Sequence, residues 1–149
     1  MNDLQLRLLK FSTGVYAALS RLPANPDLRD NRSQLMRSSS SPGAHYGEAQ
    51  SASTRKDFVY KIGAVLKELR ESLYWLLYFC EIYPRNTDLK NLSTEADELV
   101  RIFATILKKS SLGSTLPPGP SPDAPRSLAF KIQNWSSNLR PQHSKPFTS

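Results

Sequence analysis

The side chains best suited to nucleophilic, acid–base or metal chemistry are few in this chain: two histidines, His45 and His143, and one cysteine, Cys80. A hydrolytic nucleophile needs a base beside it and a group to orient that base. A phosphate loop needs closely spaced glycines. Neither pattern occurs, and there is no GxSxG. Glu48, Asp57, Glu68 and Glu71 are the carboxylates nearest the expected core. A two-metal site in a helical bundle wants Glu-x-x-His on two helices, and the chain has no such motif. Arginine and lysine partners explain these carboxylates more simply. Lys67 and Glu71 stand one helical turn apart, and Arg37 or Arg70 can reach a carboxylate across helices. The expectation is a chain that is not an enzyme and holds no metal or cofactor.

The chemistry the sequence does offer is phosphate binding. The formal charge is +7 and the pI about 9.7. Residues up to 110 hold 16 Lys and Arg against 12 Asp and Glu, and the remainder 4 against 1. The excess is therefore spread along the chain, with no dense basic block. A polyanion is the natural partner of such a protein; a soluble protein that is basic for no such reason is the plain alternative. The candidate nucleic-acid contacts are Arg55, Lys56, Lys61, Lys67, Arg70, Arg101, Lys108 and Lys109. They do not fall on one narrow face of a single copy, but would line a rim once several copies assemble. Tyr60, Tyr74 and Tyr78 could stack on bases, although packing is the commoner reason for an aromatic at helical spacing.

Most of these residues depend on one element. From Thr54 to Tyr83 there is no proline and one glycine. Phe58, Ile62, Val65, Leu69, Leu73, Leu76 and Cys80 recur by three and four, which stacks them on one helical face. Leu66, Leu77 and Phe79 widen the stripe, as several packed neighbours require. Thr54-x-x-Asp57 reads as a capping box, and Pro84 ends the run. The rod is roughly 45 Å long and needs partners of similar length. Its stretch Tyr74-Trp75-Leu76-Leu77-Tyr78-Phe79 is apolar all round. One side serves the core; Tyr74, Trp75, Tyr78 and Phe79 are the candidate oligomer interface, unless a thick core in one copy covers them. Cys80, on the stripe, is a small core side chain rather than a nucleophile.

Three further helices are expected. Residues 4–22 carry Leu4, Leu8, Phe11, Val15, Leu19 and Leu22 as a stripe, with Asp3 as N-cap. Asn25 then caps a segment with Pro26 at its first position. A second helix begins near Asp27, but Arg37-Ser38-Ser39-Ser40-Ser41-Pro42-Gly43-Ala44 leaves two readings open. Propensity makes it a loop; alternatively it is a helix whose small residues admit a close neighbour, kinked at Pro42. The last helix runs from about Asp88, or from Ser93, to Lys109, with Leu92, Ala96, Leu99, Phe103 and Ile106 as its stripe. Its early acids, Glu95, Asp97 and Glu98, and its late Lys108 and Lys109 suit the helix dipole. Beyond residue 110 the sequence is rich in proline and without period, which predicts a flexible basic tail over 111–149. Within it, Leu128 to Trp135 could form a short helix or docking peptide.

The lone cysteine fits a reducing, cytoplasmic setting. No run approaches the ~18–20 apolar residues of a membrane span, and Asp3, Arg7 and Lys10 interrupt any signal peptide.

The segment Gln34-Leu35-Met36-Arg37-Ser38-Ser39-Ser40-Ser41-Pro42-Gly43-Ala44-His45-Tyr46-Gly47-Glu48-Ala49 resembles a stretch of the four helix bundle protein family, which includes proteins encoded in 23S rRNA intervening sequences. The likeness continues through Ser53-x-x-Lys56-Asp57-Phe58-x-x-Lys61-x-Gly63, Lys67-Glu68-x-x-Glu71-Ser72-x-Tyr74-Trp75-Leu76 and Glu95-Ala96-x-Glu98-Leu99. It covers roughly residues 4–110. The resemblance implies an all-α, antiparallel up-down-up-down four-helix bundle over residues 1–110, assembled as a basic homopentamer with a central opening. It also favours helix for the serine-rich segment, although Pro42 and His45 depart from the family's usual residues there. No enzymatic activity is implied. A related branch, the accessory protein of diversity-generating retroelements, implies binding of RNA or DNA and of a reverse transcriptase. The alternative is a protein-interaction scaffold that docks an acidic partner without touching nucleic acid.

Overall fold

The computed structural model describes residues 1–112. The expected flexible tail, and the short helix or docking peptide within it, lie outside the described residues. Four α-helices and one short 3-10 turn make up the described chain, in the order α1 (Asp3–Arg21), the 3-10 turn Pro26–Leu28, α2 (Arg29–Gln50), α3 (Arg55–Ile82) and α4 (Thr87–Leu112).

Each start has a local cause. Asn2, not Asp3, caps α1: its Oδ1 accepts from the Gln5 N–H at 2.8 Å. Asp3 stands instead in the first turn, where its charge complements the dipole. Asn25 caps Asp27 N at 3.0 Å with Pro26 following, as the sequence indicates. Thr54 Oγ1 caps Asp57 N at 3.1 Å. Asn86 Oδ1 accepts from Leu89 N at 3.0 Å, so α4 begins a turn and a half before Ser93. Only Asp88 then lies in the first turn of α4, and Glu95, Asp97 and Glu98 are too far along to meet the dipole. At its other end α4 continues two residues beyond 110.

The serine-rich segment is helix, unbroken through Pro42. Its hydroxyls are satisfied by their own helix. Ser38 donates to Leu35 O at 3.3 Å, Ser39 to Met36 O at 3.2 Å, and Ser40 and Ser41 to Arg37 O at 3.2 and 2.8 Å. The proline lacks the N–H that would bond the Ser38 carbonyl, and propensity alone disfavours this stretch. Tertiary burial outweighs both. Ser38, Ser39, Pro42 and, on α3, Ser72 are all buried, with Ser72 Oγ 3.1 Å from Ser38 Oγ. Side chains this small let α2 and α3 approach closely.

The helices run antiparallel in sequence order, and α4 closes back on α1. Arg7 pairs with Glu95 and Glu98, whereas Arg21, further along α1, pairs with Asp88, earlier in α4. Cβ atoms placed at Gly43 and Gly47 would meet Leu8 and Gln5, which sets α1 against α2 in opposite directions. Most of the stripes face inward as expected: Leu8, Phe11, Val15, Ile62, Val65, Leu69, Leu76, Leu99 and Phe103 are almost wholly buried, and Leu35 joins them from α2. Leu77, expected to widen the stripe of α3, is instead 51% exposed, and Leu73 and Cys80 are only half-buried. Tyr46 crosses the core, its ring edge-on to Phe103 at 5.3 Å.

Candidate nucleic-acid interface and assembly face

Antiparallel packing brings the start of α3 to the finish of α4. Arg55 donates from Nε to Ser110 O at 2.7 Å and also from Nη2 to the same oxygen. That contact satisfies a carbonyl left free in the last turn of α4 and places a cation at its negative end. Arg55, Lys56, Lys108 and Lys109 therefore share one end of the bundle, four of the eight candidate cations. Residues 55 and 109 are remote in sequence; the closed bundle makes them neighbours.

The eight differ in what they are free to do. Arg55 is committed to Ser110. Lys61 pairs with Asp57 at 3.1 Å, and Arg101 with Asp97 at 2.5 Å, each one turn away on its own helix. Lys56, Lys67, Arg70 and Lys108 are exposed and form no ion pair among the described residues. Among the described residues the expected Lys67–Glu71 pair is not formed, and neither Arg37 nor Arg70 reaches a carboxylate. The cross-helix pairs are made by Arg21, with Asp88, and above all by Arg7. Its Nε and Nη2 meet Glu95 at 2.6 and 2.8 Å, and Nη2 meets Glu98 at 2.5 Å. The hydrogen bond to Glu95 acts most strongly, pushing the Arg7 guanidinium above its already high range against the opposing effect of burial. Arg7 is simply off the apolar stripe of α1, and the signal that could have found it was the acidic pair Glu95 and Glu98 on the facing helix.

Lys56, Tyr60, Lys67, Arg70 and Tyr74 follow one another by four, seven, three and four residues, so they lie along one side of α3. All five are exposed. A single copy thus carries a short basic stripe made of three of the eight candidate cations, Lys56, Lys67 and Arg70. The reason is the width of the buried face: it ends short of this side, so cations and rings off the core stripe share it. Tyr60 is 77% exposed and Tyr74 61%, so neither ring is part of the core.

Further along α3 the exposed side turns apolar. Leu77 is 51% exposed, Tyr78 37% and Ile82 is also open. The rings form a ladder: Tyr74 on Trp75 at 5.0 Å, Trp75 on Tyr78 at 5.7 Å, Tyr78 on Phe79 at 5.9 Å and Phe79 stacked on Tyr83 at 6.5 Å. Trp75 is half-buried, and its indole N–H is covered yet without a partner among the described residues. Phe79 corrects the sequence expectation. It is 0% exposed, on the core side of the ladder, and cannot be part of an interface between copies. One residue of helix, about 100°, separates it from Tyr78.

Cys80 is half-buried, and burial pushes its thiol upward from the ordinary value, with the nearby Ser93 hydroxyl acting the other way. A thiol held protonated is a poor nucleophile. Among the described residues no three His, Cys, Asp or Glu side chains gather as metal ligands, and no helix is long and apolar enough to cross a membrane.

No family profile and no curated protein matches the chain. Among solved structures, a protein of unknown function from the S23 ribosomal protein family of Bacteroides thetaiotaomicron VPI-5482 is similar, at 25% identity and a TM-score of 0.64. The likeness covers 70% of this chain and 98% of that one, so what is shared is the whole of a smaller helical protein.

Proposed function

We propose that this chain is a non-enzymatic bundle that forms a homo-oligomer and binds RNA or DNA through phosphate contacts, without reading base sequence. The observation that carries the proposal is the set of exposed cations without carboxylate partners, Lys56, Lys67, Arg70 and Lys108, on the outer side of α3 and at the end of α4. Exposed cations free of local partners release counterions when they meet a phosphate backbone, and that release supplies the affinity. The ribosomal name of the similar structure's family and the resemblance to proteins encoded in 23S rRNA insertions support the same reading. Assembly is supported by Tyr74, Leu77, Tyr78 and Ile82, an apolar patch on a basic surface. The five-fold ring implied by the resemblance is the assembly we propose.

A salt titration with wild-type protein and a labelled oligonucleotide tests this. Affinity should fall linearly in log salt, and Lys56→Glu with Lys67→Glu should weaken binding and flatten the slope. Affinity insensitive to salt or to both reversals would refute phosphate binding. The same exposed aromatic patch favours a second reading, a scaffold that docks an acidic partner protein or a reverse transcriptase. Such a complex would survive high salt through its apolar contacts.

A further inference from the structure

We infer that Tyr60 is a stacking platform for an unpaired base, with Lys56 and Lys67 holding the flanking phosphates, so that the preferred substrate is single-stranded. This rests on the nucleic-acid reading above and narrows it. Tyr60 is 77% exposed, and among the described residues it makes no ring contact, whereas Tyr74, Trp75, Tyr78, Phe79 and Tyr83 are joined in one ladder. Most of its surface is left open to water. Gly63, one turn on, is equally unexplained: a Cβ there would meet nothing within 4 Å. Glycine weakens a helix interior relative to alanine, and no close packing within the chain requires it.

Together the two residues make a shape. Helical side chains lean toward the N-terminus, so the Tyr60 ring leans toward Lys56 and leaves the surface over Gly63 and Ala64 low and open. Lys67 leans back toward the far edge of that floor. Tyr60 and Lys67 are about 10 Å apart along the axis, room for a base to lie against the ring with its phosphate at either lysine. A duplex keeps its bases in the stack and would leave the ring unused, whereas an unpaired base has a free face for it. A sister copy is a poorer occupant. It carries the same net charge of +7.

The test uses the full chain and anisotropy of a labelled single strand of about 16 nucleotides, beside a duplex of equal length. The single strand should bind more tightly. Tyr60→Ala should weaken it about tenfold while leaving duplex affinity and the salt slope unchanged, and Tyr60→Phe should restore it. Lys67→Ala should weaken both substrates and lower the single-strand salt slope by about 0.7. Circular dichroism confirms the fold of each variant. If nucleic acid binds but Tyr60→Ala has no effect, the stacking inference falls and phosphate binding stands. If Tyr60→Ala lowers the assembled mass instead, a sister copy covers the ring and the inference falls. Binding to neither substrate would overturn both readings.

Discussion

Replacing Phe79 with alanine, beside a parallel Tyr78→Ala, separates the core of the bundle from its outer face. The two rings are adjacent in sequence and in contact at 5.9 Å, yet Phe79 is 0% exposed and Tyr78 37%. Truncating a fully buried phenylalanine costs about 3–5 kcal/mol, the lost transfer energy plus that of the cavity left behind. At about 4 °C per kcal/mol for a bundle of this size, the midpoint should fall by roughly 12–20 °C. Tyr78→Ala should cost less, under about 2 kcal/mol within one copy, because over a third of the residue is open to water there and no closed cavity is left behind. The assay is thermal and urea unfolding by circular dichroism at several protein concentrations, with light scattering for mass. An assembled protein has a midpoint that rises with concentration. Phe79→Ala should keep that dependence at a lower midpoint, and Tyr78→Ala should weaken it and reduce the mass. Equal stability losses in the two variants, or an unchanged mass for Tyr78→Ala, would refute the division of α3 into an inner and an outer face.

Two further outcomes are expected. Arg7→Ala breaks the pairs with Glu95 and Glu98, which are only partly shielded from water, so the loss should be about 1 kcal/mol and should shrink in high salt; a loss indifferent to salt would mean that Arg7 contributes by packing its stem. Burial raises the Cys80 thiol above its ordinary 9.0 in the folded chain, so the folded state holds that proton more tightly than the unfolded one. Stability should therefore be steady below that value and decline as pH rises past it. Cys80→Ala should flatten the decline, read from urea midpoints on either side of it.

Much of the fold was legible because helix formation is a local matter. The three-and-four spacing of Phe58, Ile62, Val65, Leu69, Leu73, Leu76 and Cys80 marks the side that α3 buries: five of the seven are buried, and Leu73 and Cys80, at its edge, are half-buried. Thr54, Asn25 and Pro26 mark their termini through bonds made within a few residues. The serine-rich run was the exception. Its residues carry no apolar period, and their helix depends on a neighbour close enough to bury Ser38, Ser39 and Pro42. The candidate site was legible as a list of cations but not as an arrangement. Spacing on one helix says nothing of which carboxylates another helix brings near.

The sequence alone therefore determined three amphipathic rods, their caps and a basic excess, because propensity, capping and periodicity act over a few residues. Only the tertiary structure decided that Arg7 and Arg55 serve the fold, that Lys56 and Lys67 are left unpaired beside Tyr60, and that Phe79 faces inward. Those outcomes turn on distances between helices, and chain order does not set such distances until the core has packed.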